Sequence, residues 1–343
     1  MYHHKTADRR RASAWSSMLS RVASSIYWLN RYIERAENYA RFIEVNLNLT
    51  LDLPRGTAEQ WEPLVATTGD HESFTSRYGK ATKETVIHFL SADAANANSI
   101  LSCLAAAREN ARSVREIIST DMWEQVNRFY LMVRDAVSGG LSSRNLHTFL
   151  AEVKAASHLF LGITDATMSH GEGWHFARLG RLLERADKTS RIVDVKYFML
   201  LPTVTEVGTP FDIIQWSALL KSASALEMYC KQHGRIAPNP VVEFLILNPN
   251  FPRAIRYCLI KAEDSLHAIA GSESGRHDNL AEKRLGRLRS EMDYAEMAEI
   301  LSSGLHEFVD GFQAKLNRID DAIYDTFFAL RPVEGIMAKE RTQ

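Results

Sequence analysis

From Val22 through Ile26, Leu29, Ile33, Ala36, Ala40 and Ile43 to Leu47, apolar residues recur in alternating steps of four and three. That is the period of a long helix whose seam is covered along most of its length by other helices. At about 1.5 Å per residue such a helix is on the order of 50 Å long. A chain built on it must supply further long helices as cover. The same stretch, "YWLNRYIERAENYARFIE" over 27–44, carries Arg31, Glu34, Arg35, Glu37, Arg41 and Glu44 among its aromatic and aliphatic residues. Trp28 and Phe42 lie opposite the stripe, around Arg35, which predicts helical neighbours on two sides rather than one wet face.

The pattern is written twice. At an offset of 150 residues, Arg31/Arg181, Glu34/Glu184, Arg35/Arg185, Ala36/Ala186, Arg41/Arg191 and Val45/Val195 are identical. Ile33/Leu183, Glu37/Asp187, Ile43/Val193 and Glu44/Asp194 match in chemistry. A shared apolar stripe fixes apolar positions only. Agreement at the charged ones therefore points to a duplicated helical half, with possible halves 18–170 and 171–330, in too few copies for a solenoid.

The rest of the chain has the same helical period. Patterns run over 82–91, 94–118, 121–138, 142–168, 172–200, 210–232, 239–248, 252–271, 278–302 and 304–329. Pro54 and Gly56 end the first helix, Thr57–Gln60 reads as a capping box, and "TTGDHESFTSRYGK" reads as loop. Thr209-Pro210 with Asp212, and Asn239-Pro240, read as helix starts with proline at the first position. "SGG" at 138–140 and "GSESG" at 271–275 read as turns. No alternating strand pattern occurs. The expected fold class is all-α, a bundle of long helices with an internal duplication. Residues 1–17 read as a disordered N-terminal extension and 331–343 as a flexible C-terminal tail.

Of 343 residues, 45% are apolar, enough for a substantial core, and 41 basic side chains balance 42 acidic ones to a net charge of −1. The balance argues against nucleic acid or an anionic membrane as partner. No apolar run reaches the ~18 residues that span a bilayer, and the basic N-terminus has no apolar core of a signal peptide. Cys103, Cys230 and Cys258 form no CxxC pair and read as buried free thiols of a cytoplasmic protein.

In a heptad frame set by the stripe, with Ile33 and Ala40 at a, Glu34 and Arg41 each fall one residue past the seam, at b, and so do Glu184 and Arg191. Each copy would then aim a carboxylate and a guanidinium, two turns apart, at a neighbouring helix. On the surface such pairs contribute ~0.2–1 kcal/mol. Buried, each ion costs several kcal/mol of desolvation, so every charge needs a partner, a ligand or a metal. The expectation is thus either a structural network or a polar pocket. In the pocket, arginines would take a carboxylate or phosphate and Glu34 or Glu184 would serve as general base, acid or ligand. Over 105–130, Arg108, Glu109, Arg112, Arg115 and Glu116 stand at helical spacings, extended by Glu124 and Asn127. Arg253 and Arg256, beside Tyr257 at a helix start, read as solvated arginines packed at a helix end, with an anion-reading edge as the alternative. Glu172 and His175 form one ExxH, half of the pair that dimetal bundles use, and no second ExxH exists. No HExxH, P-loop, GxSxG or GxGxxG is present, so no cofactor is expected.

Four blocks in order, "MLSRVASSIYWLNRYIERAENYARFIEVN", "RENARSVREIIS-DMWEQVN", "EGWHFARLGRLLERADKTSRIVD" and "FLILNPNFPRAIRYCL", resemble the bacterial alpha-E domain from about Met18 to Phe328. The resemblance implies an all-helical partner of circularly permuted ATP-grasp ligases and of transglutaminase-like proteins. ATP-grasp ligases join a carboxylate to an amine, so the implied setting is peptide synthesis or modification. The motif positions carried over are Glu34, Arg35, Glu37, Arg41, Arg108, Glu109, Arg112, Glu184, Arg185 and Arg191, with Arg31 and Arg181 added from the internal repeat. Three functions stay open. One is an accessory component binding an anionic amino-acid- or peptide-like ligand, or the ligase itself. The others are a stand-alone enzyme using Glu34 or Glu184, and a purely structural interaction protein. A homo-oligomer is compatible with each.

Overall fold

The computed structural model describes residues 18–52, 61–141, 144–199, 210–273 and 275–329. The expected N-terminal extension, the Thr57–Gln60 box and the C-terminal tail lie outside these. Among the described residues the chain is all-α. The helices are α1 (Ser20–Asp52), α2 (Glu62–Thr68), α3 (His71–Tyr78), α4 (Lys83–Ser91), α5 (Ile100–Ser113), α6 (Thr120–Ser138), α7 (Leu146–Thr167) and α8 (Glu172–Met199). They continue as α9 (Pro210–Ser222), α10 (Leu226–His233), α11 (Pro238–Leu247), α12 (Ile255–Ala270), α13 (Leu280–Tyr294), α14 (Met297–Ser303) and α15 (Leu305–Ile323), closed by a π-turn at Tyr324–Phe328. None is long and apolar enough to cross a membrane.

The α1 stripe is buried throughout, and Phe42 on the opposite side is buried as well. α1 packs against α5, α7, α8 and α9 at once. The second helix of the duplication, α8, packs against α1, α12 and α15. The packing repeats with the sequence: α1, α5, α6 and α7 form one four-helix bundle, and α8, α12, α13 and α15 form another with the same order of neighbours. Cys230, expected to be buried, is only half-buried, and the other two cysteines mark the register. Cys103 on α5 and Cys258 on α12 are both buried, and each donates its thiol to a carbonyl just before its helix, Asn98 at 3.3 Å and Pro252 at 3.6 Å. Burial raises both thiols to about 12, so neither is a nucleophile at neutral pH.

α1 and α8 run parallel. The Met18 amide donates to Glu172 at 3.1 Å, Arg31 meets Glu184 at 2.9 Å, and the Lys188 ammonium stands 5.7 Å over the Tyr39 ring. Both residue numbers rise together along this series. Between them lies Gly180, where a Cβ would come within 2.4 Å of the Tyr27 carbonyl oxygen. The absent side chain is what lets the two backbones touch.

Several local expectations are corrected. "HESFTSRY", read as loop, is helix α3, because Phe74 is buried against Phe89 and Tyr78, which tertiary packing rewards in a polar sequence. The single helix expected over 94–118 starts only at Ile100, where Ser99 caps it by accepting from the Ser102 amide, and it ends at Ser113. The helix expected over 210–232 breaks between α9 and α10 around Ser224, whose φ is +49°. The one over 278–302 breaks at Ala295–Glu296. α11 begins at Pro238, one residue ahead of the expected Asn239 cap. The Asn279–Glu282 capping box starts α13.

A buried glutamate–arginine network between the paired helices

The reason α1 and α8 can press charged faces together is that the duplicated pairs exchange partners. Arg35 donates to Glu184 from Nε at 2.6 Å and from Nη2 at 3.0 Å. Arg185 donates to Glu34 from Nε and Nη2, both at 2.8 Å. Each Glu-Arg dipeptide thus reaches across a pseudo-two-fold axis to the other, in the bidentate geometry that suits guanidinium to carboxylate. Glu34, Glu37 and Glu184 are all 1% exposed or less. Ions so placed persist only when fully partnered.

Around Glu184, Arg31 donates at 2.9 Å and Lys188 stands at 3.4 Å. Arg31 also bonds Asp320 on α15, which accepts from the Tyr27 hydroxyl at 2.6 Å. Lys188 and Arg191 both reach Asp187 at 2.9 Å. Around Glu34, Arg253 adds a bond at 3.2 Å and continues to Glu37 at 2.6 Å. Glu37 further holds its neighbour one turn on, Arg41, at 2.6 Å, and the ring of His158 at 3.1 Å. Arg41 bonds Ser224 in the α9–α10 break.

The charges set one another's protonation. Burial alone would raise the Glu184 carboxyl, but Arg35, Lys188 and Arg31 outweigh it and hold the group well below the usual range. Burial is likewise overcome at Glu37 by Arg253, His158 and Arg41, and at Glu34 by Arg185 and Arg253. Asp187 is brought down to about 2, with Lys188 and Arg191 overcoming its burial. Two arginines are instead poorly placed. Arg41 is lowered by burial and by Arg253, which together exceed the pull of Glu37. Arg181 is lowered to about 10 by burial and by Arg185, and its buried Nε has no hydrogen-bond partner.

The structure therefore brings together Arg31, Glu34, Arg35, Glu37, Arg41, Glu184, Arg185 and Arg191, with Arg181 beside them but unpaired. It does not gather Arg108, Glu109 and Arg112 with them. Arg108 donates to Asn127 at 2.7 Å and lies 5.2 Å over the Tyr130 ring, while Glu109 and Arg112 pair with each other in solvent at 2.7 Å. Glu172 caps the start of α1 through Met18, and His175 keeps a buried Nδ1 without a partner. Neither belongs to a convergent group of three metal-type donors among the described residues. Arg41 does meet a neighbouring helix, standing 3.1 Å from His158 on α7, but it and Arg191 also hold a carboxylate one turn back on their own helices, Glu37 and Asp187.

Arg253, expected in solvent, is buried inside the network. Asp320, His158, Lys188 and Ser224 also belong to it and were not singled out by sequence. Arg253 precedes the Cys258 helix much as Asn98 precedes the Cys103 helix, and Asn98 accepts from Arg35 at 2.7 Å. That register was the available signal.

Paired four-helix bundles tied by reciprocal Glu-Arg dipeptides define the class of this protein. Its sequence from 18 to 328 matches the Alpha-E family, described as a predicted alpha-helical domain with a conserved ER motif, and the chain belongs to that family. Glu34-Arg35 and Glu184-Arg185 are two such dipeptides. Similar proteins include uncharacterized proteins of Mycobacterium bovis and Mycobacterium tuberculosis, each 24% identical over 93% of this chain and 38% of the relative. The chain thus spans well under half the length of these relatives. No solved structure matches.

Proposed function

We propose that this chain is an accessory, substrate-handling component of an ATP-grasp-dependent peptide synthesis or modification system. In this reading an anionic amino-acid- or peptide-like ligand meets the network at its rim, where Arg41, His158 and Ser224 come together. The observation that carries the proposal is Arg41. Its guanidinium is held below its ordinary range by burial and by Arg253, and the His158 side chain beside it is 56% exposed. An incoming carboxylate would relieve the repulsion between Arg41 and Arg253 and accept their remaining donors. Ser224 supports the same place, being the one non-glycine residue at positive φ among the described residues, and strained backbone collects at functional sites.

Catalysis by Glu34 or Glu184 is the weaker reading. Both are ionised and held by arginines, so neither has a proton to give near neutral pH, and a carboxylate with a depressed pKa is a poor base. The ligase as partner rests on the family resemblance. The greater length of the mycobacterial relatives agrees with a module that works beside another domain. Co-purification with the cognate permuted ATP-grasp ligase, followed by ligation assays with and without this protein, tests the proposal. The expected result is a complex whose ligation depends on this chain and is weakened by Arg41→Ala. No complex together with unchanged ligation would overturn it.

A further inference from the structure

A separate cluster lies in the second bundle, away from the glutamate–arginine network. Glu263 and His267 stand one turn apart on α12, and His277 approaches from the connection to α13. One donor atom from each converges, all within 4.8 Å of one another. Tetrahedral ligands on zinc, with bonds near 2.0–2.1 Å, sit about 3.3 Å apart. The three are therefore within a small side-chain adjustment of a coordination shell.

The surrounding bonds fix which atoms are free. Glu282 takes the Asp278 amide at 2.7 Å and the Asn279 amide at 3.3 Å, so its carboxylate acts as acceptor. Ser272 donates its hydroxyl to Glu282 and stands 2.8 Å from His267 Nδ1. With its own proton committed, Ser272 accepts from His267, which places the proton on Nδ1. His267 Nε2 then carries a bare lone pair, and it is buried without a hydrogen-bond partner. A histidine whose far nitrogen is anchored through a hydroxyl to a carboxylate is the usual support of a metal ligand. Glu263 is treated alike: Arg289 stands 3.5 Å from Oε2, leaving Oε1 to face the histidines.

Gly286 makes the room. A Cβ there would lie 2.5 Å from His277 Cε1 and 3.0 Å from both His277 Nε2 and Glu263 Oε1. The glycine interrupts the interior of α13, where it is unfavourable unless space is needed. The duplication offers an internal control. In the register set by Cys103 and Cys258, the first bundle has Arg108 and Arg112 where the second has Glu263 and His267. The bundle itself does not require these ligands.

We propose that Glu263, His267 and His277 bind one zinc ion, with the open position at exposed His277 left to solvent. Two imidazoles and one carboxylate suit zinc over magnesium or calcium, which take oxygen ligands. The metal would tie the 271–279 connection to α12 and α13.

The test strips the full chain of metal by chelation and titrates it with Co2+, whose visible absorption reports coordination, then displaces it with Zn2+. One equivalent should bind, and Zn2+ should raise the unfolding temperature. His277→Ala replaces an exposed side chain and should keep the metal-free unfolding temperature while losing affinity by at least about tenfold. Gly286→Ala should weaken binding similarly, and His175→Ala should leave the titration unchanged. No saturable cobalt spectrum, or stoichiometric binding with equal affinity in His277→Ala, would overturn the proposal.

Discussion

At the scale of single residues, the decisive fact is that Glu184 satisfies Arg31, Arg35 and Lys188 together. Removing its charge leaves Arg35 with no carboxylate and Arg31 and Lys188 with one each, Asp320 and Asp187, and breaking a buried pair by removing one partner costs about 3–5 kcal/mol. Glu184→Gln should therefore lower the unfolding temperature by on the order of 10 °C at the few degrees per kcal/mol typical of chains this size. Glu109→Gln, which breaks only the solvent-facing pairs with Arg112 and Arg108, should shift it by a degree or two. Calorimetry of the two variants checks the contrast, and equal shifts would show that the network is not what holds α1 to α8. The pH dependence has a definite sign. Glu34, Glu37, Glu184 and Asp187 all titrate lower in the folded chain than in the unfolded one. On acidification the unfolded chain takes up protons first. The stability they contribute is fully present above about pH 5 and is lost as pH falls toward their folded values. Unfolding temperatures across pH 3–7 should fall on the acid side, and less steeply in Glu184→Gln.

At the scale of elements, the contact between α1 and α8 depends on Gly180. Alanine there would gain about 1 kcal/mol of helix propensity. Its Cβ would meet the Tyr27 carbonyl oxygen at 2.4 Å, and backbone cannot yield as a side-chain tip can. Overpacking of this kind costs about 1–3 kcal/mol and would also lengthen the Arg35–Glu184 and Arg185–Glu34 bonds. Gly180→Ala should thus be net destabilising in denaturant titration; a gain in stability would mean that the helices have slack. The same pair of helices shows what a sequence can and cannot display. The stripe, the repeat and the burial of charge were legible, because a period and a matched charge pattern are local. The cross-pairing was not. A heptad position says which way a side chain points, not which partners it takes, and Arg41 and Arg191 each also hold a carboxylate one turn back on their own helix. Arg253 and Asp320 join through turns and bundles that no local pattern encodes. The zinc cluster escaped for a similar reason: Glu263 and His267 sit on one helix, but His277 and the Gly286 notch become neighbours only when α13 folds back on α12.

At the scale of the whole molecule, each bundle leaves one helix incomplete. α1 offers Glu34 and Arg35 to α8, and α8 returns Arg185 and Glu184. A first bundle alone would expose the apolar stripe flanked by unpaired charge. Because the two dipeptides are alike in sequence and related by a pseudo-two-fold, a second copy of α1 can supply what α8 supplies, with Arg35 of each copy on Glu34 of the other. Residues 18–170 expressed by themselves should therefore not form a folded monomer. Whatever folds should be a parallel dimer through α1, and light scattering coupled to size exclusion reads this directly. Glu34→Gln in that fragment removes both reciprocal pairs at once and should abolish the dimer, whereas in the full chain the same change removes only one of the two. A folded, monodisperse monomer of 18–170 would show that the first bundle is complete without α8, and that the reciprocal pairing is ornament on two independent folds.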